Sequence, residues 1–168
     1  YPHQLSGGMA RKVLLCTALA ANSRVIIADE PTPGIDEPSL NEVLKDFRDL
    51  ANDNKAVLMI THDINAALQI ADRIAIFYAG STVEIANIED FADKGKNLRH
   101  PYTKTLFRAL PSEEFVADQG TQPLPMEIRE GCSFYERCEV RGEQCKKSDP
   151  TIRVIRDGKV RCWNATES

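Results

Sequence analysis

The sequence predicts an α/β fold, a mostly parallel sheet with flanking helices, followed by a small cysteine-rich C-terminal extension. Three observations predict it. Short apolar runs of strand length alternate with helical-period runs through the first half of the chain, which is the mark of a parallel sheet. The strand runs are apolar at consecutive positions, as expected of strands covered on both faces. Cys132, Cys138, Cys145 and Cys162 crowd one end, so they imply a local cross-link or metal site and not a framework for the whole fold.

The elements follow in order. Ser6 is placed to cap a helix running to about Ala20, with Met9, Val13 and Leu14 on its apolar side and Cys16 as a small buried side chain. Val25-Ile26-Ile27-Ala28 reads as a buried strand. A second helix starts near Pro38, which suits a first-turn position, and places Leu40, Val43, Leu44, Phe47 and Leu50 at helical spacing. Ala56 to Ile60 is the next buried strand. Asp63 caps a third helix, Ile64 to Ile70, and Arg73 to Tyr78 reads as a third strand of the sheet. Ala79-Gly80 turns the chain into Thr82 to Ile85, a hairpin partner. The pattern changes after Glu89. One more short helix starts at His100-Pro101-Tyr102-Thr103 and ends by Pro111; Pro111 to Pro125 reads as a linker. The tail from Met126 is poor in apolar residues and unable to close a core alone.

Composition narrows the function classes. The 168 residues carry a formal net charge of −4, without the basic excess of a nucleic-acid binder. No apolar run approaches the about 18 residues of a membrane-spanning helix, and no leader-like segment opens the chain. Tyr1 in first place, where Met would open a complete chain, gives the expectation of a portion of a longer protein.

Three clusters carry chemistry. Asp29 and Glu30 end the first strand, at the sheet edge where α/β proteins bind ligands. Two adjacent acids there repel, and a nearby cation explains them. Thr61-His62-Asp63 ends the second strand and brings an imidazole, able to meet a phosphate oxygen or a water, to the same edge. Leu5-Ser6-Gly7-Gly8 places two glycines in the first turn of a helix, a cost of roughly 1 kcal/mol each in a helix interior. Bare amides at a helix N-terminus suit an anion.

Together these residues resemble the ATP-binding subunit of an ABC transporter, a P-loop NTPase-like fold. Leu5 to Gly8 matches its signature motif, Val25 to Glu30 its Walker B strand, Gly34-Ile35-Asp36 its D-loop position and His62 its switch histidine. The resemblance covers residues 1 to about 86. It implies that Asp29 helps hold Mg²⁺, Glu30 polarises the attacking water and His62 contacts the γ-phosphate. It also implies that Asp36 couples paired sites, and that Gln4, Ser6, Gly7 and Gly8 close on ATP held by the opposing subunit. Ala10-Arg11 and Pro33-Gly34-Ile35-Asp36 depart from the commoner family residues, which puts the rate and the coupling of paired sites in doubt. The loop G-x-x-x-x-G-K-[ST], which cradles the phosphates, is not in this sequence, so the chain alone is expected not to hydrolyse ATP.

The second half is similar to the extension of oligopeptide and dipeptide importers. His100 to Thr103 and the four cysteines, spaced C-x5-C-x6-C-x16-C, carry that likeness. By spacing, disulfides, zinc and an iron–sulfur cluster all stay open; the resemblance implies a structural [4Fe–4S] cluster on Cys132, Cys138, Cys145 and Cys162, with Zn²⁺ the alternative. Three regions are expected: residues 1–88 from the ATPase domain, 89–125 a helical extension and linker, and 126–168 the cysteine-rich region. The resemblance further implies a second ATPase subunit, identical or not, two membrane permeases and an extracytoplasmic substrate-binding protein. The place implied is cytoplasmic, on the inner face of a bacterial or archaeal membrane. The competing readings are a nickel or other small-solute importer, and a non-catalytic docking or metal-binding piece. Asn164-Ala165-Thr166 fits a glycosylation acceptor and reads as chance on a cytosolic tail.

Overall fold

Ser6 stands in extended backbone and its Oγ accepts the Met9 N–H at 3.3 Å, so helix α1 begins behind it and runs Gly7–Ala20. The computed structural model describes residues 1–116, 120–124 and 130–166, so parts of the expected linker and the start of the expected tail lie outside the described residues. The chain divides into two compact units, Tyr1–Ala71 and Asp72–Ser168.

In the first unit α1 is followed by β1 (Val25–Asp29), α2 (Glu37–Asn52), β2 (Ala56–Ile60) and α3 (Ile64–Ile70). Pro38 sits in the first turn of α2, and the carboxylates of Asp36 and Asp63 cap α2 and α3 by accepting the Ser39 and Ala66 N–H groups. The strands β1 and β2 pair in parallel, Val25 opposite Ala56 and Asp29 opposite Ile60. Ile26, Val43 and Phe47 form the buried centre, with Leu15, Ala18, Leu19 and Val57 packed on it. Each fully buried apolar side chain of this kind contributes about 1.5–3 kcal/mol.

Two expectations are corrected here. The strands are covered on one face only: Val25, Ile27, Leu58 and Ile60 are 56%, 65%, 53% and 48% exposed, on the face away from Ile26. The helix α1 turns Leu15, Ala18 and Leu19 inward and leaves Met9, Val13, Leu14 and Cys16 exposed. Apolar residues lie on every side of this helix, so spacing alone could not select the side that packs.

The second unit contains β3 (Arg73–Tyr78), β4 (Ser81–Asn87), a helical turn α4 (Ala92–Gly95), α5 (Pro101–Arg108), α6 (Glu143–Lys147), β5 (Ile152–Ile155) and β6 (Gly158–Arg161). The third strand does not extend the parallel pair. It joins an antiparallel sheet in the order β3-β4-β6-β5. Ala79 and Gly80 both take positive φ, 47° and 79°, the two-residue turn that suits the twist of a β-hairpin. The tail residues thus add a hairpin to β4, with Glu84 opposite Val160 and Ile85 opposite Lys159. This is how a segment poor in apolar residues gains a core: Ile155 and Val160 are buried, and so is Cys162.

A charged cluster is sealed inside this unit. The side chains of Arg99 and Glu84 are both fully buried. Glu84 accepts the backbone N–H groups of Arg99 and His100, each at 2.8 Å. The Arg99 guanidinium spreads over Glu84, Asp90 and the carbonyls of Ile155 and Arg156. His100 caps α5 through Nδ1, which accepts the Tyr102 N–H at 3.0 Å, and burial lowers its pKa to about 4. A neutral imidazole is what that acceptor role requires. Tyr78, Tyr102 and Phe134 cluster beside it, Tyr102 tilted and Phe134 edge-on to Tyr78 with centroids 4.6 and 5.2 Å away, and Arg137 lies over the Tyr78 and Phe134 rings.

Candidate functional site

The C-terminal edge of the parallel pair gathers the acids and the imidazole. The Glu30 N–H donates to the Ile60 carbonyl at 2.8 Å, which extends the β1–β2 pairing one residue past the strand. Glu30 then takes a positive φ of 45°, unusual for a side chain of this size. Such backbone strain clusters at functional sites. The turn delivers Glu30 Oε1 to within 2.9 Å of His62 Nδ1. Glu30 Oε2 is shielded from solvent and has no hydrogen-bond partner among the described residues. A buried carboxylate oxygen left so costs about 1–3 kcal/mol or more, which a bound water or cation shell would relieve.

His62 itself is 79% exposed at the side chain. The hydrogen bond and charge of Glu30 raise its pKa above the ordinary 6.5. The sign follows: the pairing favours the protonated ring, so its contribution is present below the ordinary value and fades as pH rises through the raised one. Replacing Glu30 by Gln is expected to move the His62 midpoint back down, which a pH titration of its ring proton signals by NMR would read.

Other candidate residues have local duties. Gly7 and Gly8 lie at the start of α1, and an added Cβ at either would meet nothing within 4 Å. Neither takes positive φ, so neither angle nor packing within the chain calls for glycine. Asp36 caps α2, and the Ser39 donors hold its carboxyl below the usual range. Gln4 is exposed in a short 3-10 turn, Pro2–Gln4. Asp29 is exposed at the strand end.

The four thiols of the tail form one neighbourhood. The Cys132 N–H donates to the Cys145 carbonyl at 2.8 Å, and Cys138, Cys145 and Cys162 are buried. Burial pushes the Cys132 thiol up to about 11 and raises those of Cys138 and Cys162, and neighbouring thiols add to each shift. Against this, N–H groups of Phe134, Val140, and Asn164 with Ala165 face the sulfurs of Cys132, Cys138 and Cys162. Even so, no three His, Cys, Asp or Glu groups among the described residues are gathered as a metal site, either here or around Asp29. The fit to a metal is therefore one of donor chemistry, not of ligand geometry.

Sequence reasoning missed the Arg99–Glu84–Asp90 cluster. An isolated arginine and two acids give no signal in spacing. The His-Pro-Tyr-Thr start pointed to the neighbourhood without its physical cause.

Comparisons with known proteins give the chain a family. Residues 1–33 match the family described as "ABC transporter", and residues 83–145 match "Oligopeptide/dipeptide transporter, C-terminal region". The oligopeptide transport ATP-binding protein AppD of Bacillus subtilis (strain 168) is 35% identical over 97% of this chain and 51% of its own length. The dipeptide transport ATP-binding protein DppD of Escherichia coli (strain K12) is 34% identical over 95% of the chain and 50% of its own. A solved metal-chelate type ABC transporter in an inward-facing conformation superposes with a TM-score of 0.52 at 28% identity, over 58% of this chain and 38% of that one. These matches show that the chain belongs to the ABC transporter family. The second match places the chain more narrowly: it belongs to the oligopeptide/dipeptide transport branch of that family. The chain spans about half the length of the curated relatives it matches. Among the described residues no helix is long and apolar enough to cross a membrane.

Proposed function

We propose that this chain supplies one half of an ATP-hydrolysing subunit that drives an oligopeptide or dipeptide importer. The observation that carries the reading is the Glu30–His62 pair, with its unpartnered Glu30 Oε2, beside Asp29 at one sheet edge. On this reading Glu30 takes a proton from the attacking water and His62 holds the water and the γ-phosphate in line. Asp29 would hold Mg²⁺, which supplies charge neutralisation on the phosphates. The loop that cradles those phosphates belongs to further polypeptide. The exposed apolar face of β1 and β2 supports the need for such a cover, since parallel strands are ordinarily packed on both sides. Alone, the 168 residues are expected to be inactive toward ATP.

Ser6, Gly7 and Gly8 close on ATP bound by a second ATPase subunit, identical or related, and Asp36 links the two sites. Two permeases and an external substrate-binding protein complete the importer, placing this subunit on the inner face of the cell membrane. The tail takes a metal group through Cys132, Cys138, Cys145 and Cys162, a [4Fe–4S] cluster before Zn²⁺, as a structural cross-link. Four neighbouring thiols, each facing an N–H donor, support that choice.

A single substitution separates fold from function. Gly8→Ala has room for its methyl group, so unfolding stability should hold or rise by about 0.5–1 kcal/mol. ATP-dependent dimerisation and turnover of the complete subunit should fall together. Unchanged dimerisation and turnover would remove the signature role from this helix end.

A further inference from the structure

We infer that Asn164 is a positioning residue of the four-thiol site, tying three of the four cysteine segments together and supplying an N–H to the Cys145 sulfur. The inference rests on the proposed reading that these thiols take a metal group. Asn164 stands two residues after Cys162. Its Nδ2 donates to the carbonyl of Val140, two residues after Cys138, and lies 3.7 Å from Cys145 Sγ. A carboxamide has two N–H groups, and this placement engages both. The carbonyl it faces only accepts, so the nitrogen must be on that side.

The surroundings hold the carboxamide in place. The Arg153 guanidinium crosses the hairpin to the carbonyls of Cys162, Trp163 and Ala165, fixing the turn that carries Asn164. The indole N–H of Trp163 donates to the Ser148 carbonyl at 3.1 Å. The fourth cysteine joins through the backbone. Gly131 has a φ of 88°, and a Cβ there would fall 2.5 Å from the Cys145 carbonyl oxygen, so only glycine lets Cys132 approach Cys145 this closely. Cys145 is thus the hub, held on one side by Cys132 and on the other by Asn164. Hydrogen bonds to sulfur tune metal–thiolate centres, and outer residues of this kind set ligand orientation. Asn164, the residue that invites a glycosylation reading, has this contact as its structural role.

The test uses the 168-residue chain, purified without oxygen and loaded with ferrous iron and sulfide or with Zn²⁺. Asn164→Ala should release metal to a competing chelator about 10–100-fold more readily than the wild type. The iron–sulfur form should become harder to reduce, because one sulfur has lost a donor that favours the more negative state. Asn164→Ser, whose hydroxyl still donates, should recover part of both effects, and circular dichroism confirms that each variant folds. In metal-free protein, iodoacetamide should reach Cys145 faster in the Ala variant while Cys16 reacts unchanged. If the wild type keeps its metal and Asn164→Ala matches it in retention and potential, the positioning role is overturned alone, even where Cys145 alkylation rises. If the wild type holds neither metal, the metal reading falls and this inference with it.

Discussion

Replacing Glu30 by Gln in the complete subunit should lower ATP turnover by about 10²–10⁴-fold while nucleotide binding stays. The two side chains have the same shape, and glutamine can still hydrogen-bond His62. What is lost is the capacity to accept a proton. The local backbone makes this position hard to replace from elsewhere: the turn at φ 45°, pinned by the Glu30 N–H to Ile60, aims one carboxylate at that spot. It is Glu30, not Asp29, that this turn pairs with His62. Glu30→Asp should be intermediate, since its carboxylate is set back by one methylene. Phosphate release and equilibrium nucleotide binding, measured on the same preparations, separate the two effects. Turnover within about twofold of wild type would move the water-activating role to another group, and loss of binding along with turnover would make Glu30 a ligand for nucleotide or Mg²⁺ instead.

How much of this was legible in the sequence depends on the range of the interaction. Ser6, Asp36 and Asp63 announce their caps because a cap bonds within three residues. The acids at Asp29-Glu30 and the imidazole at His62 were placed at one edge because two apolar strands joined by a single helix pair in parallel and end at the same side. The choice of covered face was not legible. Val25 and Ile27 are as apolar as Ile26, and only the packing of the helices on one face decides between them. The β3–β4 hairpin was legible from its Ala79-Gly80 turn, but the rest of that sheet was not, since β4 pairs on its other edge with β6 from the far end of the chain. Cys16 was misjudged because a small apolar side chain says nothing about which side of a helix it lies on. Long-range pairing of this kind leaves no local trace, and the buried Arg99 is the extreme case.

Arg99→Ala is expected to destabilise the second unit by about 3–5 kcal/mol, the cost of leaving a buried charge without its partner. Glu84 would keep two backbone donors, but its negative charge and that of Asp90 would face each other with no cation between them. Two carbonyls of the β5–β6 turn would also lose their donors, so the hairpin carrying Cys162 would loosen from β4. Arg99→Lys cannot restore this, because an ammonium reaches fewer acceptors than the planar five-donor guanidinium. Gly158 offers a second, independent probe. A Cβ there would fall 2.5 Å from the guanidinium carbon, so Gly158→Ala should cost about 1–3 kcal/mol in the wild type through overpacking. In the Arg99→Ala background the same methyl group meets open space and should cost almost nothing. The two changes are therefore expected to be strongly non-additive, as neighbours sharing one contact are. Denaturant unfolding followed by Trp163 fluorescence reports on this unit. Additive costs would mean that the guanidinium does not lie against Gly158, and a loss below about 1 kcal/mol for Arg99→Ala would mean that the cluster is not sealed from water. The same unit should weaken as pH falls below about 6.5 toward 4, because His100 is held neutral in the folded state and must gain a proton on unfolding.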